Sequence, residues 1–170
     1  MHETDEELEQ LQGLLDSSHA RSGPHLKSII EAGTRTPTAR QVVAELAGMK
    51  VLVVTTLGPS LRPRSSAVDG HFVHAHWVFS TSGDALKAGD IARSPAVSAA
   101  YVDGERFALF THGDAELIAA GHPEREQVDA HLTAHYGASP TTWGPSIVYF
   151  AIRPRYMVAY APNAADLPEA

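Results

Sequence analysis

The chain has 170 residues, 44% of them hydrophobic and 19% charged, which suits one domain with a substantial core and argues against wholesale disorder. Its net charge of -7, from 20 acidic and 13 basic residues, disfavours nucleic-acid binding, because an acidic surface repels phosphate backbones. The absence of cysteine removes disulfides, thiolate metal sites, iron–sulfur clusters and cysteine nucleophiles together.

The opening run MHETDEELEQLQ is acidic and polar where a signal peptide needs a basic start and an apolar stretch. No apolar run reaches membrane-span length, so a soluble cytoplasmic protein without a membrane partner is expected. Thr4 and Glu7 form a capping-box pattern, and Leu8, Leu11 and Leu15 recur at helical spacing, predicting a helix of about three turns before Ser17 and Ser18. Leu26, Ile29 and Ile30 suggest a further helical turn or two. A second capping pattern, Thr38 to Gln41, opens a helix with Val42, Val43 and Leu46 on one face and Gly48 as its stop.

The texture then changes to strands. Residues 50–56 form a β-branched run bounded by Gly58-Pro59. Residues 61–70 and 71–82 read as two strands turned at Asp69-Gly70, and residues 96–120 repeat the pattern around Asp103-Gly104. Such hairpins imply an antiparallel meander and argue against a Rossmann fold, as does the lack of G-x-G-x-x-G. A short helix between the hairpins is predicted to start at Asp84, to show Leu86 and Ile91 as its apolar face, and to stop before Pro95. A later helix runs from Pro123 through Val128, Leu132 and Tyr136 to Gly137. Residues 146–162 form a strand pair or one long bent strand, with Pro154 at an edge or bulge. The expected fold is mainly β, a small antiparallel barrel with flanking helices. It divides into a helical extension (1–36), the barrel (37–163) and a loose tail (164–170).

Arg64, Ser65 and Ser66 fall on a strand, and Lys87 falls near the start of the short helix. Two cations, two hydroxyls and a helix amino terminus compose a grip for a phosphate group, with arginine engaging two oxygens and lysine supplying a point charge. The plainer reading makes Arg64 and Lys87 solvated surface residues. Among ten histidines, His71, His74 and His76 lie on one predicted strand, with 74 and 76 on a common face. A metal there would lack an assured third ligand. His131 and His135 share a helix face but lack the glutamate of the zinc-protease motif, so they read as solvated. No G-x-S-x-G marks a hydrolase nucleophile.

Residues 51–118 resemble the pyridoxamine 5′-phosphate oxidase-like family of split β-barrel flavoproteins. The resemblance rests on VLVVTTLGPSLRPRSSAVDG, on WVFSTSGDALKAGDIARSPAVSAAYVDGE and on the return strand FALFTHGDAELI, and extends more weakly to RPRYMVAY. It implies an antiparallel split β-barrel with Arg64 and Lys87 as phosphate ligands. Ser65, Ser66, Ala67 and Val68 would run along the flavin, while Ser80, Thr81 and Ser82 would flank its ring and ribityl chain. It further implies a homodimer with the cofactor between subunits, where the partner's final strand closes the pocket. Tyr160 stands where the family often carries a tryptophan, and a tyrosine can also stack; Arg155 and Trp143 are further candidates for that wall.

The resulting expectation is an FMN-dependent oxidoreductase acting on a small organic molecule, with no catalytic acid or base identified and no metal. Two alternatives stand beside it: a reductase using the deazaflavin F420 on the same fold, and a non-catalytic flavin or haem binder. Pyridoxamine phosphate oxidation itself is disfavoured, because the longer arginine-rich substrate segment associated with it is not found.

Overall fold

The structure, a computed structural model, describes residues 3–169. Its helices are α1 (Asp5–Arg21), α2 (Pro24–Ile29), α3 (Ala39–Glu45), α4 (Leu86–Arg93) and α5 (Arg125–Tyr136). Its strands are β1 (Met49–Leu57), β2 (Pro63–Val73), β3 (His76–Ser82), β4 (Ala96–Asp103), β5 (Phe107–Leu117) and β6 (Ile147–Tyr160). The strands close into an antiparallel barrel in the order β1-β2-β3-β6-β5-β4, with β1 and β4 completing the circle from Val53↔Ala100 to Thr55↔Ser98.

Both capping boxes form: Thr4 with Glu7 opens α1, and Thr38 with Gln41 opens α3. α1 runs on to Arg21, past the end predicted at Ser17 and Ser18, because the barrel uses those residues. The Ser18 hydroxyl accepts a hydrogen bond from the Met157 amide at 3.0 Å, and Leu8, Leu11 and Leu15 join the barrel's own core cluster. The helical extension is therefore packed on β6. The described part of the predicted loose tail is also docked through Ala164 and Leu167, which are buried, and the Ala164 carbonyl accepts a hydrogen bond from the buried Gln41 side chain; residue 170 lies outside the described residues.

The Asp69-Gly70 turn does not exist. Both residues lie within β2, and the chain reverses at His74-Ala75, which adopt φ values of 51° and 62°. Gly70 is present for close approach: a Cβ there would stand 2.7 Å from Leu52 Cβ. With His74 in the turn, His74 and His76 no longer share a strand face. The Asp103-Gly104 turn forms as predicted, with Gly104 at φ 53°. β6 is one long strand, and its ladder with β5 shifts register where His112 pairs Tyr156 and Gly113 pairs Pro154. This places Pro154 beside a bulge, where its missing N–H is tolerated.

Barrel-facing side chains include Leu52, Val54, Trp77, Phe79, Phe107, Leu109, Phe150, Ile152 and Met157. α4 covers the barrel mouth beside the end of β1, burying Ala88 and Ile91. Its cap is Ala85 where Asp84 was expected; the Asp84 carboxylate instead accepts from the Ser146 hydroxyl at 2.9 Å. Leu86, predicted on the apolar face, is exposed. α5 covers the outer face of β3 and β6 through Val128 and Leu132, which pack on Val73, Val78, Ile118, Tyr149 and Ala151. Among the described residues no helix is long and apolar enough to cross a membrane.

Candidate functional site

The β2–β3 ladder has four register pairs, from Val73↔His76 to Gly70↔Phe79. Beyond Gly70 the two strands part. β2 continues along β1 as far as Pro63, whereas Ser80, Thr81 and Ser82 of β3 pair with Tyr149, Val148 and Ile147 of β6. A cleft opens between the strands, with α4 across its end.

Along β2, Ser66 and Val68 fall on the inward face with Arg64 at the mouth, while Ser65 and Ala67 fall on the outer face; the alternation follows from strand geometry. Val68 is buried in the core, so only its main chain is available to a ligand. The Ser65 hydroxyl is paired with the Thr55 hydroxyl at 2.8 Å. On the opposite lip, Lys87 Nζ stands 3.5 Å from Thr81 Oγ1. Ser82 Oγ lies 3.2 Å from Ser146 Oγ.

Arg64 passes close over Gly58 and faces Asp90. Gly58 lies beneath it, where a Cβ would come within 3.1 Å of the guanidinium Nε. Arg64 Nη1 faces both carboxylate oxygens of Asp90 at 3.4 Å. Asp90 is 1% exposed, accepts from the Thr56 hydroxyl at 3.0 Å and forms an ion pair with Arg93. A burial that deep is tolerated because the carboxylate has three partners. Sequence reasoning missed both Asp90 and Arg93, since an acidic residue on a short polar helix carries no signal of burial.

At the end of the cleft, between β1, β2 and α4, lies a cavity of about 280 Å³ lined by Thr56, Arg64, Ser65, Ser66, Leu86, Lys87 and Asp90; Ala67, Val68, Ser80, Thr81 and Ser82 are not in its lining. Two cavities of about 640 and 630 Å³ lie along α1, but they suit an anion less well. The first is lined by no lysine or arginine, and in the second Arg153 is clamped by both oxygens of Glu124 at 3.0 and 2.7 Å. Of these three cavities among the described residues, the smallest combines a lysine with an arginine whose contacts to Asp90 are long, at 3.4 Å. A phosphate group fits this donor set of two cations and neighbouring hydroxyls. The cavity is small for a whole cofactor, whose pockets usually span roughly 300–1,000 Å³.

Tyr160 lies at the far end of β6, paired with Ala108 and away from this cavity in the same chain. Arg155 pairs with Asp114, and Trp143 stands edge-on against Tyr136 with ring centroids 4.8 Å apart.

The histidines are arranged differently from expectation. His131 and His135, read as a solvated face, pack on the buried His71, with ring centroids 5.0 and 4.9 Å from it. His71 Nδ1 is 3.0 Å from His131 Nε2, and His71 Nε2 is 3.0 Å from the Tyr136 hydroxyl, which donates to Asp69 at 3.3 Å. Burial, reinforced by the two neighbouring imidazoles, pushes the His71 pKa down to about 4. Burial and the Asp69 carboxylate push the Tyr136 phenol up to about 12. Among the described residues no group of three or more histidine, aspartate or glutamate side chains is arranged to hold a metal ion.

The barrel, its split and the helix across the mouth are those of the pyridoxamine 5′-phosphate oxidase-like split-barrel fold. A pyridoxamine 5′-phosphate oxidase-like protein from Listeria innocua superposes with a TM-score of 0.55 at 16% identity, over 69% of this chain and 92% of its own. An F420 reductase gives 0.54 at 18% identity, over 71% and 97% of the two chains. The haem storage protein HutZ from Vibrio cholerae gives 0.56 at 18%, over 65% and 86%. No protein-family model and no curated protein matches the sequence.

Proposed function

We propose that this chain is one subunit of a homodimeric, cytoplasmic, FMN-dependent oxidoreductase that acts on a small organic molecule. The observation that carries the reading is the placement of Arg64 and Lys87 on opposite lips of one cleft, around a cavity sized for a phosphate and its attached chain. In this reading the phosphate rests between the two cations. The flavin then follows the β2 edge past Ser65, Ser66, Ala67 and Val68, with Ser80, Thr81 and Ser82 opposite. The cofactor supplies the redox chemistry, while the protein orients it and shields it from water.

The small volume of the single-chain cavity favours a pocket completed by a second subunit, to which the partner copy would bring its Tyr160. A bare strip of the barrel supports that pairing. Val53 stands beside Ala67 on one side and Ala100 on the other, and Ala100 stands beside Phe110, making an apolar row across β2, β1, β4 and β5. Val51, Val53, Val102 and Phe110 are all exposed.

The structural likeness to an F420 reductase supports a second reading, with the deazaflavin F420 in the same cleft. A haem reading draws less support, because both ring nitrogens of the buried His71 are engaged. Absorbance of the purified protein, followed by titration with FMN and F420, tests these readings. A flavin spectrum and micromolar or tighter FMN binding are expected. Binding of F420 alone would shift the assignment, and binding of neither would overturn it. Lys87→Ala should weaken FMN by about 1–3 kcal/mol, the scale of a lost charged hydrogen bond; unchanged affinity would remove Lys87 from the site.

A further inference from the structure

Asp90 poses a problem for an anion site. A carboxylate facing Arg64 from beneath the cavity repels an incoming phosphate and competes with it for the guanidinium. Left as a simple pair, Asp90 and Arg64 would cancel, leaving Lys87 as the single charge for the ligand.

The geometry removes that conflict through a residue outside the cavity. Arg93, one helical turn after Asp90 on α4, forms an ion pair with the Oδ1 atom that Arg64 also faces. Thr56 donates to Oδ2. Asp90 is thus held from the helix and from β1 without Arg64. Arg64 Nη1 stays at 3.4 Å from both oxygens, beyond the roughly 2.7–2.9 Å of a charge-assisted bond. It is steered by the carboxylate and left free to reach a ligand.

We propose that Arg93 is a positioning residue that neutralises Asp90, leaving Arg64 and Lys87 as two uncompensated cations matched to a doubly charged phosphate monoester. This rests on the flavin reading and sharpens it. A terminal phosphate monoester approaches two negative charges near neutral pH, whereas an internal diester carries one. The site therefore selects FMN over riboflavin and over cofactors whose phosphate is esterified on both sides. Asp90 sets the limit by holding back the third positive charge.

The test compares FMN with riboflavin, which differ only in the phosphate, by titrating the full-length protein and following flavin fluorescence. Wild type should bind FMN well above riboflavin. Arg93→Ala should weaken FMN about tenfold or more while riboflavin affinity stays within about twofold, and Arg93→Lys should recover most of the loss because it keeps the charge. A ratio of FMN to riboflavin affinity that Arg93→Ala leaves unchanged would overturn the proposal, as would equal weakening of both, which marks a purely structural role. A wild type that takes no FMN defeats the flavin reading instead. Inorganic phosphate, followed through the amide NMR signals of Ser65 and Ser66, then decides the inference. Phosphate binding that Arg93→Ala abolishes upholds it, and no phosphate binding overturns it.

Discussion

His71 shows how a single side chain can tie stability to pH. Its ring is 1% exposed, and the polarity of its contacts is self-consistent when neutral. The Tyr136 hydroxyl donates to Asp69 and so accepts from His71 Nε2–H, which leaves His71 Nδ1 to accept from His131. With a folded pKa of about 4 against an ordinary 6.5, the unfolded chain takes up a proton that the folded chain refuses as pH falls below 6.5. The contribution of His71 to stability is therefore full above that value, drops progressively toward pH 4 and levels off below it. The full loss approaches about 3 kcal/mol, at about 1.4 kcal/mol per pKa unit. His76, also lowered by burial, adds to the same fall. Glu7, Glu116, Glu124 and Asp129 sit below their ordinary carboxylate values and contribute only at more acid pH. Urea unfolding between about pH 7 and about pH 5 should show this slope in wild type and a shallower one in His71→Gln. Equal slopes would assign the pH dependence elsewhere.

At the scale of elements, β2 shows what is legible in a sequence and what is hidden. Capping boxes, the β-branched run of β1 and the Asp103-Gly104 turn were readable because each depends on neighbours in the chain. Asp69-Gly70 carries the same local signature without making a turn, because its glycine answers a contact across the sheet. A Cβ at Gly70 would meet Leu52 Cβ at 2.7 Å and Trp77 at 3.3 Å, and Leu52 Cβ, fixed to its backbone, cannot swing away. Gly70→Ala should therefore destabilise the fold by about 1–3 kcal/mol, the usual cost of overpacking, as read by thermal or urea unfolding. An unchanged midpoint would show that the β1–β2 ladder shifts at no cost. The candidate site divides in the same way. Arg64 and Lys87 could be proposed from type and placement, helped by resemblance to a family. Asp90 and Arg93 could not, because their roles depend on how α4 lies across the barrel mouth. The histidines of α5 depart from expectation for an equivalent reason: helical spacing shows that His131 and His135 share a face, but not that the face meets His71.

For the whole molecule, the coverage of the barrel's outer wall is uneven. α5 covers β3 and β6, α1 packs along β6 and α4 meets the end of β1, while among the described residues the outward side chains Val51, Val53, Val102 and Phe110 of β1, β4 and β5 stay exposed. Val51 is 59% exposed and Val102 is 55% exposed on this wall, with Val53 and Phe110 beside them. Contiguous apolar strips on a sheet face mark association surfaces, and a second copy of the chain offers a self-complementary one. The same wall carries Ser65 and Ala67, so a partner seated on it would reach the edge of the cleft that holds Arg64. Dimerisation and cofactor binding should then rise and fall together. Val53→Glu places a charge at the centre of the strip at a position already open to solvent, so the monomer's melting temperature should hardly change. Sedimentation should show a dimer for wild type and a monomer for the variant, with FMN affinity falling alongside. A wild type that is monomeric at tens of micromolar would dissociate the two properties. So would a monomeric variant that binds FMN undiminished, and the cleft would then have to hold its ligand within one chain.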